Sequence, residues 1–193
     1  MSAGPPGSED RDTAPGTCDV VEFGSSARRG DLDEIAAFLN ECWRSAYSGI
    51  LDAAFLASLT TADRRRRLDV KRRAGARLFT TRDPDGLLGV AMAGPSTLPG
   101  WDGAGELNIL YVRSDRIGTG IGHALLQVAE DALCASGYAT VVLDVFEANR
   151  RAIGFYAAHG YERKGTKVDD LGGRTYPLAI MARRLPCNDP SAA

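Results

Sequence analysis

The stretch from Leu110 to Leu126, LYVRSDRIGTGIGHALL, constrains the chain more than any other. It holds a short apolar run, a polar turn, three glycines at alternate positions and the start of an amphipathic helix. Gly118, Gly120 and Gly122 lack Cβ, so they allow positive φ and close approach of a ligand to the main chain. The first amides of the helix that follows have no intrahelical partners and sit at the positive end of its dipole. Such a turn suits a phosphate or pyrophosphate. From Gly120 onward, Ile121, Ala124, Leu125, Val128, Ala129, Ala132 and Leu133 recur at steps of three and four, giving one buried helix face. Upstream, Leu107, Ile109 and Tyr111 alternate with Glu106, Asn108, Leu110 and Val112, which predicts a strand with Glu106 and Leu110 on one side.

Two common phosphate motifs are excluded. The glycine spacing is not G-x-G-x-x-G, and no lysine precedes a serine or threonine as a P-loop requires. At 193 residues the chain fits one domain with a proper core. A formal charge of −2 offers no global attraction to nucleic acid or anionic lipid. Cys18, Cys42, Cys134 and Cys187 are widely spaced, with no CxxC pair, and only two histidines are present. We therefore expect no metal site, and free thiols in a reducing cytoplasm. No apolar run approaches the roughly 20 residues that span a bilayer, and residues 1–17 read as a disordered tail without the apolar core of a signal peptide.

The glycine turn resembles the cofactor motif Gln/Arg-x-x-Gly-x-Gly/Ala of the GCN5-related N-acetyltransferase (GNAT) superfamily. Its final glycines fall on Gly120 and Gly122 and its first position on Ile117, with the arginine one place earlier at Arg116. A second segment, Leu143 to Tyr161, is similar to the family's strand-to-helix unit: Asn149 after the strand, Ala152 three residues on, then Tyr156 and Gly160-Tyr161. The resemblance covers Val20 to Arg184. It implies an α/β (α+β) fold, the GNAT fold, with a mixed, mostly antiparallel central sheet flanked by helices on both faces. The domain would occupy 18–185, with a C-terminal tail at 186–193.

The pattern along the chain agrees with that layout. Val20 to Phe23 reads as a first strand. Asp31 with Glu34 forms a capping box for a helix whose buried face carries Leu32, Ile35, Ala36, Leu39, Trp43 and Tyr47. A second helical stretch, Asp52 to Arg73, breaks near Thr60-Thr61. A hairpin turns at Asp83-Pro84-Asp85-Gly86. Strands follow at Thr140 to Phe146, Tyr161 to Lys164 and Thr175 to Arg183, with a helix at Asn149 to His159.

By resemblance, the donor is acetyl-CoA and the acceptor an amine, on a small molecule or a protein. The main chain at Leu110, Tyr111 and Val112 would bond the pantetheine arm like an added strand. Ile117, Gly118, Thr119, Gly120, Ile121, Gly122 and His123 would wrap the pyrophosphate, and Asn149 would contact the pantetheine arm or a water. Asn149 is equally a helix N-cap. Tyr156 is the candidate acid for the departing thiolate, read otherwise as aromatic packing beside Phe155. Glu106 is the candidate base, directly or through water, read otherwise as a solvated glutamate. His123 supplies a backbone amide, and His159 meets carbonyls at its helix end. Alternatives of other classes are an acyl-CoA sensor without turnover and a nucleic-acid binder through Arg64 to Arg67. The chain holds 20 arginines against 3 lysines and no interleaved aromatics, so that run reads as a solvated helix face. No nucleic acid or membrane partner is expected, and a homodimer stays open.

Overall fold

Proline and aspartate at Pro84-Asp85 interrupt a pleated ladder, and the chain reverses there. In the computed structural model, which describes residues 19–23 and 29–187, Arg77–Asp83 (β2) and Gly86–Pro95 (β3) pair antiparallel across this turn. The Asp85 N–H donates to Asp83 Oδ1 at 2.9 Å and closes it. The two tails and Cys18 lie outside the described residues.

Five further strands complete one sheet: Val21–Glu22 (β1), Gly105–Val112 (β4), Thr140–Phe146 (β5), Glu162–Leu171 (β6) and Arg174–Arg184 (β7). Their order is β1-β2-β3-β4-β5-β7-β6, antiparallel throughout except between β4 and β5. Arg29–Ala46 (α1), Ala53–Ser58 (α2) and Thr61–Arg73 (α3) cover one face. There Leu32, Ile35 and Leu39 of α1 and Leu68 of α3 pack on Leu78, Val90 and Met92. Ile121–Ala135 (α4) and Arg150–Ala158 (α5) cover the other, where Leu125, Ala129 and Leu133 meet Ala91, Leu107 and Val141. This is the mixed, mostly antiparallel sheet with helices on both faces.

Capping decides where the helical stretch after α1 divides. Asp52 accepts from the Ala54 and Phe55 N–H groups and starts α2. Thr60 accepts from Asp63 N–H at 3.1 Å and starts α3, so the break falls at the capping candidates. The start of α1 differs from expectation. The helix begins at Arg29, which places Asp31 in its first turn rather than at the cap, where the dipole still favours it. The solvated-face reading of the arginine run also needs amending. Arg66 and Arg67 are exposed, but Arg64 and Arg65 turn inward, because the α1–α3 contact uses that side of the helix.

Two departures matter for the site. Met92 pairs with Ile109 but Ala93 pairs with Leu107, so Asn108 is an extra residue in β4. This bulge resets the alternation. Leu107 shares the α4 face with Leu110 and Val112, while Ile109 and Tyr111 pack on the α1 side. Glu106 and Leu110, expected on one face, therefore point to opposite ones. The second departure is covalent: Cys134 and Cys187 form a disulfide, which corrects the expectation of free thiols. β7 runs antiparallel to β5 and delivers residue 187 to the last turn of α4, a proximity that 53 residues of separation hide. Cys42 remains a buried free thiol. No described helix is long and apolar enough to cross a membrane.

Candidate active site

The bulge at Asn108 bends β4 away from its parallel neighbour. β4 and β5 share only two registers, Gly105 with Val141 and Glu106 with Val142, and then diverge. From Leu107 to Val112 and from Leu143 to Phe146 the two edges face each other without a ladder. Backbone groups along such an edge need partners. The gap opens into a cleft of about 360 Å³ that runs through the sheet. Tyr47, Tyr111 and Asp144 line it toward α1, and Leu110, Phe155 and Tyr156 toward α4 and α5.

One end of the cleft is the glycine turn. Gly118 and Gly120 have φ of +85° and +89°, so both use the left-handed region that a side chain resists. Gly122 does not; it lies in the first turn of α4, facing the Phe155 ring. Among the described residues the N–H groups of Ile121, Gly122 and His123 find no backbone acceptor, the first helical bond being Ala124 N–H to Gly120 O at 3.1 Å. Thr119 is turned elsewhere, its N–H and hydroxyl both on Arg116 O. Arg116, Arg151 and His123 also line the cleft. His123 Nδ1 lies 3.0 Å from His159 Nε2, and His159 Nδ1 lies 2.7 Å from Phe155 O, the helix-end carbonyl its position implied.

Asn149 caps α5, accepting from Ala152 N–H at 3.1 Å, and also lines the cleft. α5 then sets Tyr156, 9% exposed, against the wall. Across the gap the Tyr47 and Tyr111 hydroxyls meet at 2.8 Å. Burial is the first cause that raises all three phenol pKa values; for Tyr156 the Tyr47 and Asp144 charges add to it. Each therefore holds its proton at neutral pH. Asp144 is paired with Lys167 at 2.5 Å.

Glu106 sits elsewhere. It is 8% exposed, does not line the cleft, and faces α3. Its carboxylate accepts from Thr97 N–H at 2.6 Å, Thr97 Oγ1 at 3.1 Å, Lys71 Nζ at 3.4 Å and the Asn108 amide. Asn108 does line the cleft, and its buried Oδ1 has no hydrogen-bond partner among the described residues. Of the residues singled out in the sequence, Tyr156, Asn149, Leu110 to Val112, Ile117, Gly118, Gly120, Gly122 and His123 line one cleft, whereas Thr119 and Ile121 are not in its lining. Sequence reasoning missed Asn108 and the Tyr47–Tyr111 pair. The four-residue spacing of Trp43 and Tyr47 was a signal for the latter, but helical burial accounted for it equally. Among the described residues no group of three or more His, Cys, Asp or Glu could hold a metal ion.

Comparison with known proteins fits this geometry. The model of the Acetyltransferase (GNAT) family matches residues 32–161, which span the cleft from α1 to the end of α5. The chain belongs to the GNAT acetyltransferases. Within them it is 31% identical over 150 residues to the uncharacterized N-acetyltransferase YuaI of Bacillus subtilis, covering 76% of this chain and 84% of that one. The GNAT fold recurs in the ribosomal-protein-alanine N-acetyltransferase of Brucella melitensis (TM-score 0.66, 22% identity, 86% and 99% of the two chains). It recurs too in a PaiA N-acetyltransferase of Thermoplasma acidophilum in complex with coenzyme A (TM-score 0.63, 20% identity, 86% and 99%).

Proposed function

We propose that this chain is an acetyl-CoA-dependent N-acetyltransferase in which an amine attacks the thioester directly. The observation that carries the reading is the through-sheet cleft, closed at one end by unpaired amides and faced at the other by a buried tyrosine. The residues present fit the carrier. Ile121, Gly122 and His123 offer N–H groups to a diphosphate, with Arg116 and Arg151 in the lining of the same cleft. The unladdered edge of β4 at Leu110 to Val112 offers main-chain bonds to an amide-bearing arm. The orphaned Asn108 Oδ1 offers an acceptor for one more N–H.

Acetyl-CoA, when bound, supplies an activated acyl group and a thiolate leaving group. The chain contributes placement and protons. Aligning amine and thioester in one cleft can lower the barrier by several kcal/mol. Tyr156, protonated and directed at the gap, donates to the departing sulfur. Glu106, held by four donors outside the cleft, fixes Asn108 through its amide rather than meeting the amine. The ammonium proton then leaves through the open mouth to water. The acceptor is an amine on a small molecule or protein.

The test is thiol release from acetyl-CoA with a panel of primary amines, alongside calorimetric titration of the carrier. Saturable binding with amine-dependent thiol release is expected. Binding without turnover by any amine would favour a sensor, and no binding to folded protein would end the reading.

A further inference from the structure

Arg64 is placed at odds with its own charge. Its side chain is half-buried in α3, with Cζ 4.5 Å above the Trp43 ring, and Nε donates to the buried Asn40 Oδ1 at 3.0 Å. Among the described residues no carboxylate lies within ion-pair distance of it. Its neighbours are treated differently: Arg65 pairs with Asp33 and Asp69, and Arg66 with Asp63. Arginine keeps its charge in proteins, and a desolvated charge without a counter-ion is costly. Burial is the main influence on this guanidinium and draws its pKa below the ordinary arginine value; nearby Tyr111 opposes that. Nη1 and Nη2, the two-pronged edge that grips carboxylates, have no acceptor among the described residues.

Arg64 lines a pocket of about 280 Å³, large enough for a small organic acid. Trp43 and Phe55 give it apolar walls, Arg67 adds a second cation without an ion pair among the described residues, and α3 begins on its rim. The carboxylate in its wall, Asp63, is already engaged by Arg66 and the Thr60 hydroxyl. Arg44 ties down the rim by donating to Leu56 O and Leu59 O. The pocket shares no lining residue with the cleft, yet one aromatic layer joins them. Trp43 meets Tyr47 at 5.1 Å, and Tyr47 bonds Tyr111 in the cleft.

We propose that this pocket is an oxyanion site, binding the carboxylate of a small ligand on the free edge of Arg64. The carboxylate comes either from the amine acceptor itself, making Arg64 a specificity determinant, or from a separate small acid. The acceptor assignment rests on the acetyl-transfer reading; the anion site does not.

The chain has two tryptophans, so Trp101→Phe leaves Trp43 as sole reporter. Its fluorescence is titrated with succinate, with glutamate, and with amines matched to glutamate but lacking carboxylates. A saturable response to the acids, absent with the amines, is expected. Arg64→Gln should weaken it by about tenfold or more, and Arg64→Lys, which keeps the charge if the glutamine variant misfolds, should weaken it less. Transfer assays then separate the sources. An acceptor carboxylate predicts an amino-acid preference in kcat/KM that Arg64→Gln abolishes through KM. A separate acid predicts the succinate response with no such preference. No Trp43 response to any carboxylate up to about 10 mM overturns the site. Failure to bind acetyl-CoA would instead undo the proposed activity and leave the titration intact.

Discussion

Tyr156 and Glu106 show how little a residue's type says until its neighbours are known. Both read as proton-transfer candidates in the sequence, but the cleft receives one of them. Tyr156→Phe removes the proposed proton donor and keeps the packing of the ring against Phe155 and Tyr161. Turnover should fall by about 10²-fold or more, while the acetyl-CoA dissociation constant measured by calorimetry stays nearly constant. For Glu106→Gln the prediction runs the other way. The carboxylate is enclosed by Thr97, Lys71 and Asn108, so the pH–rate profile should keep its shape while kcat falls through a displaced Asn108. A lost basic limb would restore Glu106 as the proton acceptor. The misplacement of Glu106 was not legible beforehand, because alternation counts residues and a bulge adds one without any marker in the local composition. The tyrosine pair was hidden for another reason: Tyr47 and Tyr111 are 64 positions apart, and each alone looks like core.

Elements were far more readable than contacts. Asp52, Thr60 and Asn149 each sit where a helix begins, and each side chain accepts from a backbone N–H as its type prescribes. The Pro84-Asp85 turn and the periodicity of α4 likewise follow from local chemistry. β6 extended well past its expected end, since Lys167, Asp169 and Asp170 give a charged, half-exposed strand no apolar run to read. The α4 element also depends on glycines of two kinds. Gly120 needs its positive φ at the helix start, so Gly120→Ala should cost about 1–2 kcal/mol in chemical denaturation and weaken acetyl-CoA binding. Gly89 needs space: a Cβ there would stand 2.6 Å from Leu125 Cδ1. Gly89→Ala should therefore destabilise by about 1–3 kcal/mol without any special backbone angle.

At the scale of the whole molecule, the disulfide bears on stability and the seam between β4 and β5 on binding. The Cys134–Cys187 bond closes a loop of 53 residues that contains β5, α5, β6 and β7. Cys134→Ser, or reduction of the wild type, should lower stability by about 2–4 kcal/mol, read as a shift in the denaturation midpoint. Both parts of the sheet are internally well laddered: β1 to β4 on one side, β5 to β7 on the other.

Between them run two rungs of hydrogen bonding, Gly105 with Val141 and Glu106 with Val142. A guest that stretches along that rift does more than occupy a space. By stitching the fabric where the weave is open, it would consolidate the two halves of the sheet, so that on the proposed reading the protein is most nearly whole when its donor is in place.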